Sequence, residues 1–289
     1  MVEGCLGCTL SDGCAFLVVM TEMEIHIGDC LEGMRRMTGE SIDVVVTSPP
    51  YNLAIAYRSY TDRLSREAYL EWCECWAAEV YRLLKSDGAM FLNVAAASGE
   101  PTLPFEVLLR LTGGLFQLQN TIHWVKSISL PLKDGSTLSK GHFKPINSKR
   151  YLNNCHEYVF HLTKAGNVSI DRMAVGVPYA DKSNVARWRH TGGGDRRCGG
   201  NVWVVPYETI RNRARQRPHP ATFPVELAER CLRLHGKPGA VVMDPFLGLG
   251  ATAEAARRNG AARVVGFEID PEYAAFAAQR VELDVQHEG

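Results

Sequence analysis

No stretch of this 289-residue chain approaches the ~18 consecutive apolar residues of a membrane span. The run Ala15-Phe16-Leu17-Val18-Val19-Met20 is too short, and Glu3 and Asp12 stand where a signal peptide carries basic residues. A cytoplasmic protein with no membrane partner is therefore expected. The nine cysteines lack any pairing pattern; they are odd in number and scattered, which suits free thiols in a reducing compartment. Cys5-x-x-Cys8, with Cys14 nearby, has no second Cys or His pair at zinc-site spacing, so no metal is expected. Residues 1–22 read as a poorly ordered extension. Internal repeats and low-complexity tracts are absent too, so the chain is not a solenoid or a tail.

A net charge is also missing, but the balance of 32 basic and 32 acidic residues hides a segregation. Residues 126–217 hold 17 Lys and Arg against 6 Asp and Glu, while the rest of the chain holds 15 against 26. Such a layout suggests a module that faces a polyanion, set into an acidic scaffold. The 46% of hydrophobic residues suffices for one large core.

Glu24–Ile27 is a short strand, followed by Gly28-Asp29 and a helix over Cys30–Met37. Ile42–Val46 is apolar without alternation, as in a parallel strand covered on both faces. Ser65–Leu84 has helical spacing, Ala89–Val94 is a strand, Phe105–Leu111 is helical and Phe116–Val125 extended. In the basic segment only Cys155–Leu162 reads as a strand. Cys155-His156-Glu157-Tyr158 is accounted for by its alternating faces and is assigned no site. Helices follow from Phe223, with Pro224 in the first turn, from Ala251 to Asn259, and after the cap Asp270-Pro271. Strands lie at Ala240–Met243 and Arg263–Phe267. Alternation at both ends makes the class α/β with a largely parallel sheet. The boundaries are 23–125, 126–217 and 218–289.

The stretch Val241 to Ala256 reads strand, glycine turn, helix. Gly248 and Gly250 let the backbone turn tightly and approach a ligand, beside a helix N-terminus with unpaired N–H groups. Glu268, 20 residues after Gly248 at the tip of the next strand, is placed to meet the two hydroxyls of a ribose. A nicotinamide dehydrogenase is disfavoured, because too little chain follows Gly250 for the further βαβ units of a dinucleotide fold. Asp244, ahead of the glycines, would repel a pyrophosphate and suit a cation.

Three blocks now meet: Thr47-Ser48-Pro49-Pro50-Tyr51, His219-Pro220-Ala221-Thr222-Phe223-Pro224, and Asp244-Pro245-Phe246-Leu247-Gly248-Leu249-Gly250-Ala251-Thr252. Together and in this order they resemble the DNA amino-methyltransferases that use S-adenosylmethionine, in the group whose catalytic motif precedes its cofactor motif. Leu249-Gly250-Ala251 departs slightly from the Ser-Gly-Thr usual there. The resemblance spans about residues 24–125 and 218–284. It implies a Rossmann-like, seven-stranded, mostly parallel sheet, circularly permuted, with residues 126–217 as an inserted target-recognition region. It implies that Asp244, Phe246, Gly248, Gly250 and Thr252 surround the cofactor, Asp244 facing its ammonium, and that Glu268 takes the ribose. Thr222 and Phe223 would close the methionine side. Asp29 either accepts from the adenine amine or caps a helix. Double-stranded DNA is the implied partner, and a cognate restriction endonuclease and a homodimer are compatible.

An exocyclic base amine is a poor nucleophile because its lone pair is delocalised. Acceptors on its N–H bonds favour the tetrahedral geometry and the developing positive charge. Ser48 offers a hydroxyl oxygen and Pro49 a carbonyl, while Pro50 stiffens the turn. Tyr51 offers a face for a base flipped from the duplex. Methylation at ring carbon 5 of cytosine would need a nucleophilic cysteine beside a proline, and no Pro-Cys pair exists. Serine in the first position favours N4 of cytosine over N6 of adenine. Arg211, Arg213, Arg215 and Arg217 alternate and would grip phosphates from one face; Arg187, Arg189, Arg196 and Arg197 flank Gly192-Gly193-Gly194 and are further DNA-contact candidates. An RNA methyltransferase and a non-catalytic DNA-binding protein are the alternatives.

Overall fold

The computed structural model describes residues 21–55, 57–141, 147–181, 194–207 and 222–287. The first half runs β1 (Glu22–Ile27), α1 (Cys30–Arg35), β2 (Ile42–Thr47), α2 (Arg66–Leu83), β3 (Leu84–Val94), α3 (Leu103–Thr112) and β4 (Gln117–Val125). The inserted segment gives β5 (Ile128–Pro131), β6 (Thr137–Lys140), β7 (His156–Thr163), β8 (Val177–Pro178), β9 (Arg196–Arg197) and β10 (Val202–Val204). Regularity resumes with α4 (Val225–His235), β11 (Val241–Asp244), α5 (Ala251–Arg258), β12 (Arg263–Glu268) and α6 (Pro271–His287).

The main sheet has the order β1-β12-β11-β2-β3-β7-β4-β10. Every neighbour pairing is parallel except those of β7, which runs against β3 and β4. The seven strands implied by the resemblance are joined by β10, a three-residue edge strand. The basic segment is therefore not wholly appended: its β7 and β10 are part of the sheet. The pairing of β11 with β2, Val242 opposite Val44, joins the C-terminal half of the chain to the N-terminal half.

Both faces of the sheet are covered, which is why β2 reads as unbroken apolar residues. Val45 packs with Trp76, Val80 and Leu83 on one side, and Val44 and Val46 with Ala228, Cys231 and Ala255 on the other. Local signals start and stop the helices as the residue types demand. Ser65 Oγ accepts from Ala68 N, Asp270 Oδ1 accepts from Glu272 N at 2.9 Å, and Gly236 closes α4 at φ 72°. Pro224, expected in the first turn of α4, instead stands at its N-cap with ψ 146°; the helix begins one residue later, where an N–H is available. At the edge of the sheet away from the strand C-termini, buried Asp43 is held by Lys85 at 2.8 Å and Lys237 at 2.6 Å. No described helix is long and apolar enough to cross a membrane.

Candidate active site

Strand order reverses direction between β11 and β2, and in open α/β sheets such a switch point opens a crevice at the strand C-termini. A cleft of about 1200 Å³, open to solvent, lies there. The tips of β2, β3 and β12 reach it. So does the N-terminus of β7, because that strand is antiparallel and sets Glu157 beside Trp124, which ends near the same edge. The cleft is lined by the acidic residues Asp29, Glu157, Glu268 and Asp270, and among its described walls there is no Lys, Arg or His. Aromatic rings of Trp72, Phe246 and Tyr273 complete it.

The glycine turn after β11 is built as its sequence suggests. Gly248 and Gly250 adopt φ 53° and 78°. A Cβ on Gly250 would lie 2.9 Å from Ala277 Cβ, so this glycine also lets α6 pack against the turn. Gly248 lines the cleft and its N–H donates to Glu268 Oε2 at 2.8 Å. Glu268 Oε1 accepts from Asp270 N at 2.9 Å. These two bonds aim a nearly buried carboxylate at the cleft, and burial raises its pKa above the ordinary range. Phe246, Thr222 and Phe223 line the cleft; Phe246 packs its ring against Trp72 and Trp76. Asp29 does two things: its Oδ1 caps α1 by accepting from Glu32 N, and its side chain belongs to the cleft wall.

Asp244, Gly250 and Thr252, expected around the cofactor, are not among the residues that line the cleft. Asp244 Oδ1 accepts from Thr47 Oγ1 at 2.6 Å and Phe246 N at 3.0 Å, and its Oδ2 accepts from Thr252 Oγ1 at 2.7 Å. Burial raises its pKa to about 6 against the pull of these three donors. These bonds tie the end of β2, at Thr47, to the turn after β11 and to the first turn of α5.

Ser48, Pro49, Pro50 and Tyr51 all line the cleft. Tyr69 donates its hydroxyl to the Pro50 carbonyl at 2.8 Å, whereas the Pro49 carbonyl has no protein donor among the described residues. Ser48 Oγ lies 2.5 Å from Tyr51 Oη. The Tyr51 hydroxyl is in turn 2.8 Å from Asn93 Nδ2 and 3.3 Å from Glu157 Oε2. Asn93 Nδ2 also donates to Glu157 Oε2 at 2.7 Å, and Lys126 Nζ meets Glu157 Oε1 at 2.9 Å. Sequence reasoning missed Asn93, Glu157 and Lys126. The available signal was polarity out of place: an Asn in the apolar run of β3, and an acid on the inward face of β7.

Over the cleft lies the segment 52–62, which contributes Tyr57, Ser59 and Tyr60. Buried Asp62 organises it by accepting from the backbone N–H groups of Asn52, Leu53 and Ile55 at 2.7–3.1 Å. Ser59 Oγ donates to Asp270 Oδ2 at 2.8 Å, and Arg58 pairs with Glu272, which fastens the segment to the start of α6. Of the candidate DNA contacts, Arg196 and Arg197 are exposed on β9; Arg196 donates to the Gly176 carbonyl and Arg197 to that of Cys198 at 3.3 Å. Arg187, Arg189, Arg211, Arg213, Arg215 and Arg217 lie outside the described residues.

The fold defines a class: an α/β Rossmann-like methyltransferase sheet with an acidic, aromatic cleft at its switch point. The chain belongs to the N6/N4 DNA methylase family, whose profile matches residues 42–279, and it is a DNA amino-methyltransferase. The family uses S-adenosylmethionine. Type II methyltransferase M.ScaI of Streptomyces caespitosus is 29% identical over 92% of this chain and 83% of its own length. DNA adenine methyltransferase YhdJ of Escherichia coli is 24% identical over 90% of the chain and 82% of its own. In fold, the PvuII DNA methyltransferase, cytosine-N4-specific, superposes with TM-score 0.67, 24% identity and coverage of 91% and 87% of the two chains. The Thermus thermophilus modification methylase TTHA0409 complexed with S-adenosyl-L-methionine gives 0.60, 27% identity and coverage of 91% and 94%.

Proposed function

We propose that the protein transfers a methyl group from S-adenosylmethionine to N4 of a cytosine flipped out of double-stranded DNA, without a covalent enzyme–base intermediate. The observation that carries the cofactor half is the cleft's charge: four carboxylates, aromatic walls and no described basic side chain suit a sulfonium-bearing nucleoside and repel a pyrophosphate. In this reading Glu268 accepts from the ribose hydroxyls and Asp29 from the adenine amine. Phe246 and Gly248 border the cofactor, and Thr222 and Phe223 close its methionine side. When bound, the cofactor supplies an electrophilic methyl group.

The chain's own part in the reaction is positioning. Ser48 Oγ and the Pro49 carbonyl accept the two N–H bonds of the target amine and turn its lone pair toward the methyl group. Tyr51 supplies a wall against which the extruded base rests. Cytosine is favoured by the serine that opens the Ser-Pro-Pro-Tyr block, and the fold likeness to a cytosine-N4-specific enzyme agrees. Adenine-N6 is the second reading, supported by the adenine methyltransferase among the relatives. The exposed arginines of β9 and the arginines of the undescribed stretches are assigned to DNA phosphates, and a companion endonuclease and a second copy of the chain to further partners. The test is nucleoside mass spectrometry of duplex DNA and of structured RNA, each incubated with protein and cofactor. N4-methylcytosine in DNA is expected, and loss of at least 100-fold in rate for Ser48→Ala. N6-methyladenine alone would move the target to adenine, and preferential labelling of RNA would sink the DNA reading.

A further inference from the structure

Beneath Ser48 and Tyr51 sits a buried acid that the reaction as described does not use. Glu157 is 6% exposed. Removing such a charge from water is costly unless donors surround it. Here Lys126 compensates one oxygen at 2.9 Å and Asn93 the other at 2.7 Å.

An ionised carboxylate only accepts hydrogen bonds, and this fixes the direction of every neighbour. Asn93 must turn its NH2 group toward Glu157, because the flipped amide would set oxygen against oxygen. One Nδ2 hydrogen goes to Glu157 Oε2 and the other to Tyr51 Oη at 2.8 Å, with Ser48 Oγ farther off at 3.4 Å. The same orientation leaves Asn93 Oδ1 buried with no partner among the described residues. Leaving an acceptor unmade is unfavourable, so the amide is held by Glu157 and Tyr51 rather than by its own satisfaction. Tyr51, accepting from Asn93, has one hydrogen to give, and Glu157 Oε2 at 3.3 Å, the Asn93 backbone carbonyl at 3.2 Å and Ser48 Oγ at 2.5 Å are all within reach. The carboxylate is the strongest acceptor of the three. With the hydrogen given to Glu157, the 2.5 Å contact between Ser48 Oγ and Tyr51 Oη is made by the serine hydrogen. Ser48 Oγ is left with lone pairs and no hydrogen for whatever enters the cleft.

We propose that Glu157 is a positioning residue for methyl transfer: through Asn93 and Tyr51 it commits Ser48 to act as an acceptor toward the substrate amine. The inference rests on the reading of Ser48 as an amine acceptor. In Glu157→Gln the side chain can both donate and accept, so Tyr51 can turn its hydrogen to Ser48 and the serine can present O–H instead of a lone pair.

The experiment compares wild type, Glu157→Gln, Tyr51→Phe and the double variant for methyl transfer to duplex DNA, with cofactor binding followed by calorimetry and urea midpoints as controls. The expected result is a fall in kcat on the order of 10- to 100-fold for each single variant, the scale of outer-sphere positioning groups. KM for DNA should stay within about twofold, and the cofactor Kd should weaken by no more than a few-fold in Glu157→Gln, because Lys126 already offsets the charge that is lost. The double variant should be no slower than Tyr51→Phe alone, because the link is already cut. Full kcat in Glu157→Gln, or multiplicative losses in the double variant, overturns the proposal. Should Glu157→Gln fail to fold, Glu157→Asp, which draws the carboxylate back by one methylene, takes its place with the same criteria. A wild type that transfers no methyl group to DNA overturns the underlying reading and this inference with it, and is told apart by the wild-type reaction alone.

Discussion

The role of Asp244 can be decided by replacing it with Asn. The variant keeps the shape and the hydrogen-bond frame. Asn Oδ1 still accepts from Thr47 and from Phe246 N. Its NH2 group replaces the accepting Oδ2 and donates to Thr252 Oγ1, whose hydrogen then goes to the Val46 carbonyl, already 3.0 Å away. What disappears is the ionisation. Burial lifts the carboxyl from an ordinary 3.8 to about 6, and at 1.36 kcal/mol per pH unit this is a penalty of ~3 kcal/mol on the folded protein when the group is charged. The sign follows from proton counts. Between the two values the folded state binds the proton and the unfolded state does not, so this group destabilises the fold above pH 6 and the penalty is relieved as pH falls through 6 towards 3.8.

The assay is urea unfolding of both proteins at several pH values between 7.5 and 4. The stability of Asp244→Asn relative to wild type should decline by up to ~3 kcal/mol as pH is lowered, whatever its starting value at pH 7.5. Taking the difference removes the other carboxylates, which titrate alike in both. Calorimetry at pH 7.5 supplies the functional arm: affinity for S-adenosylmethionine should survive within a few-fold, because the carboxylate does not line the cleft. A flat or rising difference with falling pH would mean that Asp244 is held as an anion by something cationic. A 100-fold loss of cofactor affinity with the fold intact would show that it faces the ligand after all.

Two other perturbations bear on the cleft. Asp62→Ala removes the acceptor of three backbone N–H groups and frees a segment in which Asn52 and Ala54 sit at φ 56° and 57°; a loss of ~2–4 kcal/mol and faster proteolytic cutting within 52–62 are expected, and unchanged cutting would mean that Asp62 does not hold the segment. Gly250→Ala meets both a φ of +78° and a contact 2.9 Å from Ala277 Cβ, so the urea midpoint should fall by the equivalent of ~1–3 kcal/mol; an unshifted midpoint would show that the turn and α6 have room to yield.

The strands were legible wherever both faces are buried, because an unbroken apolar run as short as Val44-Val45-Val46 fits the interior of a covered sheet and little else. The cofactor turn was legible because glycines at positive φ and a carboxylate one strand later leave a spacing in the chain. Side-chain direction was not. That Asp244 ends its strand is written in the sequence, but which way it turns was decided by a threonine 197 positions away. Glu157 and Asn93 were missed for a related reason. Their periodicity assigns each to a face of its own strand, and only the antiparallel insertion of β7 between β3 and β4 brings the two to one wall. The expected domain boundary at residue 126 hid this, since it set β7 outside the sheet to which it belongs.

The charge layout then follows from a single requirement. A polynucleotide offers the protein two kinds of surface, an anionic backbone and neutral bases. The cleft, with four carboxylates and no described basic side chain, repels the first and admits the second. On the proposed reading, the excess of Lys and Arg in 126–217 does the reverse and engages the backbone. The same carboxylates that reject phosphate favour a sulfonium, so one electrostatic feature selects both the cofactor and the part of the substrate that can reach it. It also accounts for Lys126 against Glu157. An acid placed this deep needs a local cation, and Lys126, just after β4, supplies it at 2.9 Å from Glu157 without adding a basic residue to the cleft lining.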